Sequence, residues 1–231
     1  IIMYPKNEYT NLIDTKMEGI NIKNKKIFKY SSDPKVLTSD IERLTNYKQR
    51  KRNLISRVKI LEDKEDEASK LELKRLEQKY TIGKVNFDSV VIIDFGDSLK
   101  SVLTSLLYSD VDQNDVLIVT VNQWFDKSIF LENSIEKLYY PSVDINNFQK
   151  YKKKYSKIYG LPPTEITILT YDALGLIYYI WNKKNYKITS MKDFMIKDSI
   201  KGKIGTFSIK DGKLIQKLNM YKISDKKFIK F

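Results

Sequence analysis

The chain has 231 residues, 42 of them Lys or Arg against 29 Asp or Glu, a net charge of +13, and neither Cys nor His. Without those two residue types no disulfide, thiolate nucleophile or histidine-based triad can form, and an enzyme would be left with carboxylate, lysine or tyrosine chemistry. The basic residues, five arginines (Arg43, Arg50, Arg52, Arg57, Arg75) and otherwise lysines, are spread along the whole length; a scattered, lysine-rich surface is solvated rather than phosphate-binding, so no nucleic-acid partner is expected.

Hydrophobic residues make up 42% of the chain, ample for a packed core, and no apolar run approaches the roughly 20 residues that span a bilayer. Ile1 to Tyr4 reads as the inside of a strand closed by Pro5. The chain is therefore expected to begin mid-protein, with any targeting segment upstream. A helix is expected to about Met17, then a strand over Lys25 to Tyr30, ended by Asp33, a cap candidate, and Pro34 at the first helical position.

Between Lys35 and Tyr80 there is neither Gly nor Pro, and Glu, Lys, Arg and Leu dominate. Such a run is mostly helix. Its apolar stripe is interrupted over Glu62 to Glu67, which predicts two helices, or one kinked there, with part projecting from the body. The bland reading is a charged solvated face; the functional one is an arm that meets a protein partner through Arg50, Lys51 and Arg52.

Phe87 to Asp126 carries the clearest pattern. The short β-branched runs Ser89 to Ile93 and Val116 to Val121 flank a helical stripe, Leu99, Val102, Leu103, Leu106 and Leu107, which makes a βαβ unit of a parallel sheet. Ligands of such sheets sit at the carboxyl ends of the strands. Those ends offer Asp94, Phe95, Gly96 and Asp97, and then Asn122, Gln123 and Trp124. Asp97 is equally placed to cap the helix, and Trp124 to pack beneath the next one.

Further along, Leu138 to Val143 reads as a strand after a partly helical Phe125 to Glu136. Asn146 to Tyr159 reads as a helix stopped by Gly160 and Pro162-Pro163. Its Lys150 to Lys154 cluster is taken as a solvated face. The helix Glu165 to Asn182 is apolar nearly all round and so needs neighbours on most sides; Tyr171 and Asp172 within it are candidates to face a cleft. Ser190 to Asp198 is a short helix, Asp211-Gly212 marks a hairpin that Asn219 to Ile223 extends, and the last residues form a basic tail. Neither Gly83-Lys84 nor Gly202 to Gly205 has the spacing and context of a phosphate loop. No metal, cofactor or catalytic residue is predicted.

The ordered set IIMYPKNEY (1–9), FDSV (87–90), WFD (124–126), YSKIYGLPP (155–163), YDA (171–173) and GTF (205–207) with Asp211-Gly212 resembles the type I periplasmic binding protein fold. With the charged helix before Phe87 and LYSD (107–110), it is most similar to the penicillin-binding protein activator branch of LppC-type lipoproteins. The resemblance implies an α/β chain: a Rossmann-like parallel-sheet lobe with a long charged helical insertion and a partial second lobe. Residues 1–140, including helical region 35–80, would be the second lobe, 141–200 a return to the first lobe, and 201–231 a closing hairpin and tail on the second. Most of the first lobe would be missing, which leaves the apolar helix without its partner sheet and open to self-association.

The same resemblance implies no catalysis. It implies a periplasmic protein, attached to a membrane only through an upstream lipid anchor, that activates a peptidoglycan synthase by contact; the runner-up is a solute-binding receptor of a transporter for amino acids or other small polar ligands. The cleft candidates are then Tyr9, Asp94, Phe95, Gly96, Asp97, Asn122, Gln123, Trp124, Tyr171 and Asp172.

Overall fold

The computed structural model describes residues 1–23, 25–131, 135–194, 199–211 and 213–231. These divide into two compact units, residues 1–121, 127–139 and 223–227 in the first and 122–126, 140–222 and 228–231 in the second.

The first unit is built on short parallel strands. β1 (Ile2–Pro5) pairs with β2 (Ile27–Tyr30) from Ile2↔Ile27 to Pro5↔Tyr30 and with β3 (Ser89–Ile92) at Ile2↔Val91. β3 pairs with β4 (Leu117–Thr120), and β4 with β5 (Leu138–Ser142) at Val119↔Tyr139. With β9 (Asn219–Ser224) and β10 (Lys227–Lys230), the order is β10-β9-β5-β4-β3-β1-β2, every strand contributing residues to this unit. Met3, Tyr4, Val90 and Ile92 are all buried, as expected of strands covered on both faces. On one face, Met17 and Ile13 of α1 (Thr10–Glu18) pack over Ile2, Tyr4, Val91 and Ile93.

Two expectations about the carboxyl terminus are corrected. β9 does not extend the hairpin but enters the main sheet, and the supposed basic tail is β10. Their connection is Asp225-Lys226, both at positive φ (51° and 55°). That backbone usually announces itself by Gly or Asn, and here it does not.

The helical segment has three helices where two were expected: α2 (Pro34–Leu44), α3 (Tyr47–Glu62) and α4 (Glu67–Leu76). Asp33 caps α2, its carboxylate accepting from Lys35 N at 3.0 Å, and Pro34 stands at the first position. The break between α3 and α4 falls at the charged run. The additional break is at Asn46, which takes a left-handed φ of 52°, a conformation Asn tolerates better than its neighbours. α3 and α4 share a small core of Leu54, Leu61 and Leu76, clasped by a bidentate Arg57–Glu72 pair at 2.9 and 2.7 Å.

Arg50 is not on an exposed arm. It is 8% exposed, and its guanidinium donates to the carbonyls of Gly83 (2.9 Å), Ser109 (3.0 Å) and Asp110 (2.8 Å). Ser109 and Asp110 end α5 (Gly96–Tyr108), where carbonyls lack helical partners and the helix dipole is negative. Lys51 and Arg52 are exposed, as an arm would need.

In the second unit, α6 (Ile145–Tyr159) is capped by Asp144 through Asn147 N at 3.0 Å and closed by Gly160 at φ 75°. α7 (Glu165–Lys183) and the antiparallel sheet β6 (Ile200–Lys201), β7 (Thr206–Lys210), β8 (Lys213–Lys217) complete it. Val143, Phe148, Tyr151, Ile168 and Ile204 form its core. The sheet β6–β8 belongs to the second unit, where Ile204 and Leu218 pack with α6 and α7, and residues 223–227 join the first. Of the expected helix over 190–198, Met191–Phe194 is a 3-10 turn and 195–198 lie outside the described residues. So does Gly212 of the Asp211-Gly212 turn, while Asp211 has the anticipated positive φ of 50°.

Replacing Arg50 with Ala removes the donors to three carbonyls, that of Ser109 buried and those of Gly83 and Asp110 partly so, and is expected to cost about 2–3 kcal/mol. Lys51→Ala and Arg52→Ala should stay within about 0.5 kcal/mol. Urea unfolding of the three variants measures the difference.

Candidate binding site

The carboxyl ends of β1, β2 and β3 are rigidly built. Lys6 N donates to Tyr30 O at 2.8 Å, and Asn7 fixes the next turn by accepting from Tyr9 N at 2.9 Å while its own N–H donates to Thr10 Oγ1 at 2.8 Å. Tyr9 ends up 57% exposed at the start of α1.

At the mouth of β3 the four candidates separate. Asp94 is buried, and its carboxylate accepts from the Tyr30 hydroxyl at 2.6 Å, the Ser98 hydroxyl at 2.6 Å and Phe95 N at 2.8 Å. Burial, and next the Asp94 carboxylate, push the Tyr30 phenol far above its usual range, so it remains a donor at all ordinary pH. Asp94 is therefore a bracket joining β2, β3 and α5. Phe95, extended and 57% exposed, leads into the helix. Gly96 has a φ of 57° with nothing near the position a Cβ would take, so the residue is needed for its backbone angle.

Asp97 does not cap α5. The cap position is Phe95, without a side-chain bond, and Asp97 sits inside the first turn, paired to Lys100 at 2.9 Å with its side chain in solvent. Lys100 also donates to Ser128 Oγ at 2.7 Å.

At the opposite, amino ends of β1, β3 and β4 the first unit has an open trough of about 1020 Å³. Both Lys and Asp line it, and Lys84 is paired with Asp115 at 3.2 Å. It is not where the strand-end argument leads.

Asn122, Gln123 and Trp124 belong to the second unit. The Gln123 backbone is held from both sides, its N–H donating to Pro141 O at 3.3 Å and its carbonyl accepting from Ser142 Oγ at 2.5 Å. Trp124 packs on Phe148 with ring centres 5.7 Å apart. Asn122 is different: its Oδ1 is buried and accepts no hydrogen bond among the described residues. A buried acceptor left without a donor costs about 1–3 kcal/mol.

Tyr171 and Asp172 lie elsewhere in this unit, on α7. Asp172 accepts from Lys203 N at 2.6 Å and Ile204 N at 3.3 Å, and a Cβ at Gly202 would sit 2.6 Å from its carboxylate. It staples α7 to the turn before β7. Tyr171 meets Tyr151 edge-on at 5.3 Å.

What the sequence did not reveal is the aromatic cluster around Phe125. Its ring lies 6.4 Å from Tyr140, 5.6 Å from Phe148, 5.0 Å from Tyr221 and 5.4 Å from Phe228. The four partners come from four elements, β5, α6, β9 and β10, so no local spacing could have grouped them. The Tyr140 hydroxyl, like Asn122 Oδ1, is buried without a partner among the described residues.

No protein-family model matches the chain, and no curated protein does. Solved structures do. A putative branched-chain amino acid ABC transporter from Rhodospirillum rubrum matches with a TM-score of 0.53 at 12% identity, over 62% of this chain and 44% of that one. The leucine binding protein LivK from Thermotoga maritima matches with a TM-score of 0.51 at 10% identity, over 100% of this chain and 59% of that one. Full-length LpoA from Haemophilus influenzae gives a TM-score of 0.38 at 9% identity, over 100% of this chain and 48% of that one, too low to bear any argument. The chain thus has the type I periplasmic binding protein fold, with a mostly parallel central sheet. It spans about half the length of the structures it matches.

If Asp94 is the bracket described, Tyr30→Phe should destabilise the first unit by about 1–2 kcal/mol, since one donor to a buried carboxylate is lost. Tyr9→Phe, in solvent, should leave the urea midpoint unchanged.

Proposed function

We propose that the chain is part of a non-catalytic periplasmic binding protein that takes a small polar organic ligand at the carboxyl ends of its parallel strands, as the receptor of a transporter does. The observation that carries this reading is the Asn122 carbonyl oxygen, held out of solvent at the end of β4 with no donor among the described residues. A ligand group that donates a hydrogen bond would satisfy it. The fold is that of structures described as a putative branched-chain amino acid ABC transporter and a leucine binding protein, both with TM-scores above 0.5.

No helix among the described residues is long and apolar enough to cross a membrane.

A second reading, contact with a peptidoglycan synthase, is supported by Lys51 and Arg52, exposed on α3, and by the separate small core that stiffens α3 against α4. Calorimetry distinguishes the two. Titration with amino acids, sugars and small carboxylates should give micromolar binding by at least one, weakened roughly tenfold by Asn122→Ala. Absence of any binding, together with synthase capture that Lys51→Glu and Arg52→Glu abolish, would reverse the order of the two readings.

A further inference from the structure

We propose that the hairpin of α3 and α4 is a self-association arm, which pairs antiparallel with the same arm of a second copy of the chain. The surface lies within the first unit and is independent of the ligand at the strand ends and of α7. Being an insertion into a Rossmann-like lobe, the arm is not a surface on which the other lobe of the fold packs.

Charge is divided along the arm. From Tyr47 to Leu61 there are six basic residues and no acidic one, whereas Glu62 to Glu67 holds five acidic residues and, of opposite sign, Lys64 alone. α4 repeats the order on its way back, with Glu67 in its first turn, at the tip, and Lys74 and Arg75 in its last, at the base. Arg50 and Arg57 are engaged, on carbonyls and on Glu72. Lys48, Lys51, Arg52 and Lys59 are exposed and, like Glu62 and Asp63, form no ion pair among the described residues.

Helix stability does not account for this order on α3. A helix favours acidic groups at its amino end and basic groups at its carboxyl end. α4 conforms, but α3 has no acidic residue in its first turn, where Lys48 stands, and ends on Glu62 and Asp63. Charges set against the dipole and left without a partner weaken the helix unless something outside the chain meets them.

The order of charges selects the occupant. A uniformly anionic surface, such as a phospholipid bilayer, would draw the base of the arm and repel its tip. A partner must carry the reverse order over the same length, and a second copy turned by a two-fold axis does so. Lys48, Lys51, Arg52, Ile55, Lys59 and Glu62 recur every three or four residues and so share one face of α3. Antiparallel pairing centred near Arg57 sets Arg52 against the partner's Glu62 and Lys51 against the partner's Asp63, each twice by symmetry. It also lays the methylene stem of the partner's Lys59 on Ile55, which is 50% exposed.

Sedimentation velocity of the full chain measures the pairing. At about 0.05 M salt a monomer–dimer equilibrium is expected below ~100 µM protein, and near 1 M salt, where charges are screened beyond about 3 Å, the dimer should be lost. Lys51→Glu with Arg52→Glu, and separately Glu62→Lys with Asp63→Lys, should each raise the dissociation constant roughly tenfold or more. An equimolar mixture of the two variants should recover a dimer with one of each, because all four pairs are then of opposite charge again. All four substitutions place charge in the sense that the α3 dipole favours, so both variants should melt no lower than the parent by circular dichroism. A chain that stays monomeric, a dimer indifferent to salt and to both variants, or a mixture that does not recover it overturns the proposal. So does a dimer that Leu174→Asp dissolves and the charge variants keep, which would place self-association on α7, and so does binding of a monomeric chain to phosphatidylglycerol vesicles through Lys51 and Arg52.

Discussion

The first unit depends on one buried guanidinium. Arg50 reaches from α3 to Gly83, ahead of β3, and to Ser109 and Asp110 at the end of α5. Ile82 N donates back to the Arg50 carbonyl at 3.2 Å, and Asp110 accepts from the Thr81 amide at 3.1 Å. Burial disfavours the charge, lowering the Arg50 pKa, while the nearby Asp110 opposes that shift. The planar fork is suited to the task because it aims several donors in fixed directions, where a lysine would offer a point charge.

This clamp bears on the strand mouths through α5. The helix has 13 residues, about 20 Å at 1.5 Å each. Arg50 holds its carboxyl end, and at its amino end Ser98 and Phe95 are tied to Asp94, which also holds Tyr30 of β2. With both ends of the helix tied, Phe95 stands at the mouth of β3 in extended backbone. Polar side chains there are divided between those that build the rim and those left to meet something else.

The second unit follows a different logic. Its core is small and largely aromatic, centred on Val143, Phe148, Tyr151, Ile168 and Ile204, and α7 gives that core only one stripe. The remaining apolar surface of the helix is a property of sequence as much as of fold, since a helix that is hydrophobic all round cannot satisfy itself against one neighbour. Asp172 pins it in place, and Gly202 is the residue that lets the backbone come close enough to be pinned.

The sequence by itself determined the local grammar. Short β-branched runs around a 3.6-residue stripe gave β3, α5 and β4; Asp33-Pro34 gave the start of α2, and Gly160 the end of α6. Each rests on interactions within a few residues, which composition and spacing encode directly. It also bounded the chemistry through the absence of Cys and His, and the motif order pointed to the fold. Only the tertiary structure decided what the polar side chains do. Arg50 and Lys51 are adjacent in sequence and alike in charge, yet one is buried on three carbonyls and the other is in solvent, because the partners of Arg50 lie 33 to 60 residues away. Asp94 and Asp172, cleft candidates in the sequence, are met in the fold by donors far along the chain, Tyr30 and the amides of Lys203 and Ile204. Asn122, an unremarkable amide in the sequence, became the candidate that matters because folding buried its oxygen and supplied no donor.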